Sequence, residues 1–300
     1  VSAVPKNTIR HVRTIGIFYH HMTFGGIQRV ISTLIPVYKR LGLAVVLFLE
    51  KKIDDDCYDI PEYVSIEYLN TTKDRVGIAG RIRALHEGIV RHGVDMLYHH
   101  AFLSQFLIWD LLVCKWCCDI PVIVHVHTAT CYRPFSDKES YQRWFGENKI
   151  LSFADGVIAL SKADQLMLRS CGARAKYIPN PTGFQQLNND GKAKREGNEI
   201  LWVGRLSREK NPSDPIVILA KVKESIPDAK LTIIGGGSDA VVREMKAVIE
   251  KYGLQDDVTL VGGVADVYEY YKKASLFLHT SDLEGCSIAL LEACAFELPI

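Results

Sequence analysis

Net charge is almost absent from this 300-residue chain. Thirty-six Lys and Arg face 35 Asp and Glu, leaving +1. No global field therefore argues for nucleic acid or an anionic membrane as partner, and any basic site must be local. Also missing is an apolar run of the ~18 residues that cross a bilayer. The nearest stretch, 101–126, is broken by Asp110, Lys115, Asp119 and Pro121. No secretory signal opens the sequence. Compositional bias is absent too: Gly 22, Pro 11, 24% charged and 48% hydrophobic residues exclude a disordered chain, a collagen-like repeat and a low-complexity tail. The length suggests two domains at ~150 residues each.

Eight cysteines are present, which in a chain of this length read as reduced cytosolic thiols and not as a disulfide framework. Cys114, Cys117 and Cys118 form a C-x-x-C-C cluster with no second ligand pair. Lying in L-L-V-C-K-W-C-C, they read as small buried hydrophobes on a core helix. The opening V-S-A-V-P-K-N-T reads as linker, and the closing E-L-P-I runs into a strand pattern. The chain is therefore expected to be an internal piece of a longer protein, with an upstream domain fused to it.

Two blocks alternate strand and helix patterns. The first runs through T-I-G-I-F-Y (14–19), a helix over 27–41, strands at 44–49 and 64–69, and a helix over 77–92. It continues with a strand at 95–98, an apolar helix over 101–118, P-V-I-V-H-V (121–126), a helix near 138–152, G-V-I-A-L (156–160) and A-K-Y-I-P (175–179). Strands apolar throughout, separated by helices, predict a parallel sheet covered on both faces. Residues 181–198 are polar and rich in turn formers, the composition of a domain boundary. A second block restarts at E-I-L-W-V (199–203). A helix is expected to start at Pro212, followed by K-L-T-I-I (230–234), a helix over 239–252, V-T-L-V (258–261), a short helix, L-F-L-H (276–279), a helix over 287–296 and a strand from Leu298. The expected division is a linker at 1–13, an N-terminal domain at 14–185, a linker at 186–198 and an incomplete C-terminal domain at 199–300. The fold class is α/β, two Rossmann-like doubly wound units facing a cleft at the carboxyl ends of their strands.

Five segments could carry chemistry. In F-G-G-I-Q-R-V (24–30), Gly25 and Gly26 lie between strand and helix, where a backbone can approach a ligand and helix N–H groups can meet an anion. In W-V-G-R-L-S-R-E-K-N-P (202–212), Arg205 and Lys210 follow a strand and could hold a diphosphate, each charge-assisted bond contributing roughly 1.5–3 kcal/mol. In S-D-L-E-G-C-S-I-A-L-L-E-A-C (281–294), Glu284 lies in a loop and Glu292 in the next helix, placed for sugar hydroxyls. The amides from Gly285 through Cys286 and Ser287 to Ile288 could take a phosphate. The turn G-G-G-S (235–238) offers Gly235 and Gly236 as a wall for a base. In V-H-V-H-T (124–128), His125 and His127 are read as facing opposite sides of a strand end, unable to chelate one metal as a pair, with His127 nearer the cleft. His20 is read as pointing at the cleft; His21, His99 and His100 are read as structural. Taken one by one, a plain turn, a solvated loop and a capped helix remain open for these segments.

In order and spacing the segments resemble retaining glycosyltransferases of family 4, which have the GT-B fold. E-G-C-S-I-A-L-L-E-A is similar to that family's paired-glutamate motif, V-G-R-L-S-R-E-K to its phosphate-binding loop, and G-G-I-Q-R-V to its N-terminal glycine loop. V-I-A-L-S-K (157–162) and Y-I-P-N-P (177–181) also match in place. The resemblance covers about Ile15 to Ile300. It implies transfer of a sugar from a UDP- or GDP-linked donor to a saccharide or lipid-linked glycan acceptor, with retention, in cell-envelope polysaccharide or glycoconjugate synthesis. Arg205 and Lys210 would neutralise the departing diphosphate. Gly25 and Gly26 would close near the donor phosphates or the acceptor. Glu292 would bind the ribose, Glu284 the transferring sugar, and His127 would stand beside sugar and acceptor. No cofactor and no divalent metal are implied; D-D-D (54–56) reads as solvated charge. A cytoplasmic location is implied, at the inner membrane face if Lys51, Lys52, Arg81, Arg83, Arg91 and Arg133 form a basic surface, although Arg81–Arg91 read more simply as a solvated helix face. Cys286, Ser287 and Glu297 depart from the family's usual aromatic, Gly and Gly, which bears on the identity of the sugar. A GT-B-type epimerase and a catalytically silent nucleotide-sugar-binding domain are the alternatives.

Overall fold

The computed structural model describes residues 11–53, 57–69, 77–100, 104, 106–129, 146, 148–182, 195 and 197–300. Two sheets organise them, and every strand pair in both is parallel. The first sheet has seven strands: β1 (Thr14–Tyr19), β2 (Ala44–Leu49), β3 (Ser65–Tyr68), β4 (Met96–His99), β5 (Val122–Val126), β6 (Gly156–Ala159) and β7 (Ala175–Tyr177), in the order β3-β2-β1-β4-β5-β6-β7. The second has β8 (Glu199–Val203), β9 (Lys230–Ile234), β10 (Val258–Gly262) and β11 (Leu276–Phe277), in the order β10-β9-β8-β11. Both orders reverse beside the first strand of their unit, the topology that opens a crevice at the carboxyl edge.

The apolar strands bury both faces. On β1, Ile15 and Ile17 pack with Ile31 and Ile35 of α1 (Gly26–Arg40). Phe18 points the other way, into a core with Leu85 and Ile89 of α2 (Ile78–His92) and Leu107 and Leu111 of α3 (Leu107–Leu112). In the second unit, Ile200 and Trp202 pack with Ile216 and Leu219 of α5 (Asp214–Val222) and Met245 and Ile249 of α6 (Asp239–Tyr252). Leu201 and Phe277 meet Tyr271 of α7 (Tyr268–Lys273) and Ala293 of α8 (Ile288–Ala295) on the opposite face. Removing each large side chain from water contributes about 1.5–3 kcal/mol. Local chemistry sets the helix ends. The Ser161 hydroxyl accepts from the Asp164 amide to start α4 (Lys162–Ser170), and Gly93 and Gly253 take left-handed φ values of 56° and 68° to end α2 and α6.

Several expectations need correction. The helix of the second unit begins at Asp214 with Pro215 in its first turn, while Pro212 lies in the preceding turn. From Leu298 the chain forms no strand, although the Phe277 amide donates to the Pro299 carbonyl at 2.8 Å. The helix expected over 101–118 is α3 followed by a π-turn at Val113–Cys117; Cys114 is buried there, but Cys117 is exposed. Most of the helix expected near 138–152 lies outside the described residues, as do Asp54, Asp55, Asp56, Cys131, Arg133 and most of the 186–198 linker.

Arg81 also departs from its expected place. It is 1% exposed and no part of a surface. Its guanidinium makes two hydrogen bonds to Asp110, one of 2.9 Å to Oδ2 and a second to Oδ1, and donates to Glu50 at 3.2 Å. It also lies over the Phe106 and Phe18 rings. His99 meets the same carboxylate at 3.1 Å. Helical spacing cannot distinguish a solvated arginine from one aimed inward at a carboxylate 29 residues on.

Burial alone would raise the Asp110 pKa, but hydrogen bonds and charge from His99 and Arg81 outweigh it and hold the carboxyl below its ordinary range. The stability Asp110 adds is thus complete above the unfolded value of about 3.9 and is lost as pH falls through the lower folded value. Asp110→Ala is expected to cost about 3–5 kcal/mol in urea unfolding at neutral pH and to remove part of the acid limb of the stability profile; an unchanged midpoint would contradict this. Glu297 ends α8 at φ 54°, with the Leu298 amide donating back to the Ala293 carbonyl at 3.0 Å. Glu297→Gly removes a left-handed side-chain residue and should raise stability by about 1 kcal/mol in the same assay.

Candidate functional site

Parallel strands deliver their following loops to one edge, and here the two edges line a cleft of about 400 Å³, within the usual range for small-molecule sites. Gly25, Gly26, His127, Arg205, Lys210, Gly235, Gly236, Glu284, Cys286, Ser287, Ile288 and Glu292 all line it. Gly285 stands immediately behind: a Cβ there would lie 3.2 Å from the His127 carbonyl and 3.5 Å from the Ala129 amide. The loop before α8 is thus pressed against the end of β5.

The two loops that carry charge are tied together by Thr280. Its hydroxyl accepts from Trp202 Nε1 at 2.9 Å and donates to the Lys210 carbonyl at 2.9 Å. Asn211, in the left-handed region at φ 47°, donates its side-chain amide to the Thr280 carbonyl at 3.1 Å. Lys210 Nζ consequently meets Glu284 Oε1 in a half-buried ion pair. Arg205 is more exposed, 3.4 Å from Glu209; burial raises the Tyr19 pKa, and the Arg205 charge opposes it. The glycine turn is fixed by backbone crowding. Gly235 has φ 156°, and a Cβ on it would sit 1.7 Å from the Gly204 carbonyl oxygen, so no side chain fits.

The other carboxylate, Glu292, is 3% exposed on α8. Arg29 of α1 reaches it from the first unit, Nε to Oε1 at 3.2 Å. Burial raises the Glu292 pKa, opposed by the Arg29 charge and the Tyr271 hydroxyl. Ser287 caps α8, its hydroxyl accepting from the Leu290 amide at 3.4 Å. Asn180, in the Y-I-P-N-P segment, donates to the Cys286 carbonyl at 2.9 Å, a second bridge between the units.

The histidines are arranged differently from the sequence reading. Residues two apart on a strand share a face, so His125 and His127 lie together, ring centroids 3.9 Å apart. His100 joins them, its Nδ1 2.9 Å from His127 Nε2. This parity overturns the reading of these two as opposed; His100, read as structural, packs against both. Burial, with smaller repulsion from neighbouring histidines, pushes His127 and His100 well below the usual imidazole range. Burial takes His125 down to about 3. At neutral pH all three are uncharged. His20 is bound to Glu50 at 2.7 Å and does not line the cleft; His21 does. His279, 3.8 Å from Glu284, and Arg29, Tyr19 and Tyr58 are cleft residues the sequence reading missed. Arg29 was visible within G-G-I-Q-R-V, one turn beyond the glycines, but nothing in spacing announced its partner 263 residues away.

A family model described as "Glycosyltransferase Family 4" matches residues 24–183, more than half of the chain. The chain belongs to glycosyltransferase family 4. A second model, "Glycosyl transferases group 1", matches residues 184–300. Among curated relatives, an uncharacterised glycosyltransferase of Methanocaldococcus jannaschii is 27% identical over 161 residues, 49% of this chain and 39% of that protein. The chain thus spans well under half of that relative's length. A Campylobacter jejuni N-acetylgalactosamine-N,N'-diacetylbacillosaminyl-diphospho-undecaprenol 4-alpha-N-acetylgalactosaminyltransferase is 25% identical over 298 residues, 95% of this chain and 79% of that protein. The crystal structure of Anabaena Alr3699/HepE in complex with UDP and glucose superposes with a TM-score of 0.70 at 19% identity, covering 96% of this chain and 79% of that one. This family 4 chain accordingly has the GT-B fold. No helix among its described residues is long and apolar enough to cross a membrane.

Thr280→Val leaves Trp202 Nε1, on a side chain 2% exposed, and the Lys210 carbonyl without their partner. The expected loss is about 1–3 kcal/mol, read by urea unfolding followed through tryptophan emission; a change within error would show that the loops are held otherwise.

Proposed function

We propose that this chain transfers a sugar from a nucleotide-sugar to an acceptor hydroxyl with retention of configuration, in the synthesis of a cell-envelope polysaccharide or related glycoconjugate. One observation carries the reading: a single cleft gathers Arg205, Lys210, Glu284, Glu292 and His127 from loops and helices far apart in sequence. The donor diphosphate lies against Arg205 and Lys210 and competes with Glu284 for the lysine. Charge developing on the leaving phosphate is met by these cations and by the amides before α8, so the diphosphate requires no divalent metal. Glu292 takes the ribose hydroxyls and Glu284 the transferring sugar. Gly25, Gly26, Gly235 and Gly236 allow close backbone approach, and Cys286, Ser287 and Ile288 face the phosphates.

Among the described residues that line the cleft, Glu284 and Glu292 are the carboxylates, and each is paired with a cation. Neither is a free nucleophile, which favours front-side attack with the leaving phosphate accepting the acceptor's proton. His127, held uncharged by burial, orients sugar and acceptor by hydrogen bonding. UDP is the first nucleotide to test, since the Anabaena structure holds it. The acceptor is a saccharide or a lipid-linked glycan, the latter suggested by the diphospho-undecaprenol in the Campylobacter relative's name.

A thermal-shift panel of UDP, GDP, ADP, CMP and their sugar conjugates, run with a chelator present, tests the donor site. One nucleotide family is expected to stabilise the protein. Arg205→Ala and Lys210→Ala should each weaken it about 10–150-fold, the equivalent of 1.5–3 kcal/mol. Glu292→Ala should weaken it through the ribose. His127→Ala should keep nucleotide affinity and lose turnover. Unchanged affinity in the first three variants would remove the assignment. Binding without any transferred or epimerised product would favour a silent binding domain.

A further inference from the structure

The histidine cluster is not explained by donor binding. Only His127 of the three lines the cleft; His100 and His125 are 1% and 3% exposed. They come from adjacent parallel strands. Tyr98 pairs with Ile123 and His99 with Val124, and continuing that register brings His100 beside His125. Alternation then puts Tyr98, His100, His125 and His127 on one face. The result is a stack in which one ring nitrogen from each histidine lies within 4.8 Å of the other two. Tetrahedral zinc, with bonds of about 2.0–2.1 Å, needs its nitrogens about 3.3 Å apart, so binding draws the three rings inward.

The hydrogen-bond count also points to a missing partner. His100 and His127 share one contact, and His125 Nδ1 meets the Tyr98 hydroxyl at 2.8 Å. Among the described residues, His125 Nε2 is buried with no partner. Leaving a buried polar atom unpaired costs about 1–3 kcal/mol, and such atoms in a well-packed protein ask for a ligand or ion. The Tyr98 contact has the form of an outer-sphere bond: with Nδ1–H donated to the tyrosine oxygen, the lone pair of His125 stands on Nε2.

We propose that His100, His125 and His127 form a binding site for a divalent transition-metal ion of the zinc type, with Tyr98 orienting His125. Three imidazoles and no thiolate or carboxylate suit zinc and its neighbours, not magnesium or calcium. Two of the three ligand nitrogens already converge, because His100 Nδ1 and His127 Nε2 share a hydrogen at 2.9 Å. On binding, that hydrogen moves to the other nitrogen of its own ring, so each imidazole stays neutral and each gives one lone pair. The site lies on the first sheet, separate from Arg205 and Lys210, which follow β8. Its ion would take His127 Nε2, leaving the Nδ1–H of that ring to donate to sugar or acceptor, and would not serve the diphosphate. This departs from the expectation, drawn from sequence, of a chain with no metal site.

Cobalt(II) is the probe, because tetrahedral nitrogen coordination gives it intense visible bands. Protein stripped by chelation and dialysis is titrated with Co²⁺, then with Zn²⁺. Expected are saturable uptake of one equivalent, displacement by zinc, loss of the bands in His125→Ala, and affinity about 10–100-fold weaker in Tyr98→Phe. Circular dichroism checks each fold; if His125→Ala unfolds, His127→Ala at the cleft wall takes its place. No saturable uptake by the unaltered chain overturns the proposal, as does uptake undiminished in a folded histidine variant. Nucleotide affinity is not read in this experiment, so its outcome is independent of the donor site.

Discussion

Parallel pairing of every strand in both sheets is the constraint from which the rest of this molecule follows. A parallel strand cannot be followed by a hairpin. Each must be reached by a crossover, so all loops after strands emerge at one edge and all helices are pushed to the faces. Glycine loop, phosphate loop, glutamate loop and histidines each follow or end a strand. Their convergence needs no long-range sequence signal beyond the order of the strands. What fine-tunes it is a small set of polar ties: Thr280 between two loops of the second unit, and Asn180 and Arg29 from the first unit to the second.

Those ties also govern the electrostatics of the cleft. Lys210 with Glu284 and Arg29 with Glu292 are pairs in which each charge compensates an opposite one at the cleft wall. A diphosphate and a ribose offer replacements of the same kind, an anion for the cation and hydroxyls for the carboxylate. Binding a donor would then exchange partners instead of creating bare charges. Arg29 gives this exchange a further consequence, since it belongs to the first unit and its carboxylate to the second.

Much of the fold was legible because buried parallel strands leave continuous apolar runs, as in I-L-W-V and V-I-V-H-V. Glu297 stood out where glycine is usual, and it does adopt a left-handed φ. The residues drawn from motifs line one cleft, with Gly285 just behind it. What stayed hidden depended on partners remote in sequence. Arg81 read as surface charge because its carboxylates, Asp110 and Glu50, lie on other elements. Thr280 and His279 carried no motif, and Arg29, within G-G-I-Q-R-V, gave no sign of its partner. The histidines were misread for a different reason, strand parity: a spacing of two keeps side chains on one face, and the adjacent strand then brings a third ring beside them.

The most direct test of the central claim is a crystal structure of the protein with its stabilising nucleotide-sugar bound. The account predicts the diphosphate oxygens on Arg205 and Lys210, the ribose hydroxyls on Glu292, and the sugar between Glu284 and His127. A nucleotide seated elsewhere, or one in the cleft with its phosphates away from both cations, would contradict it.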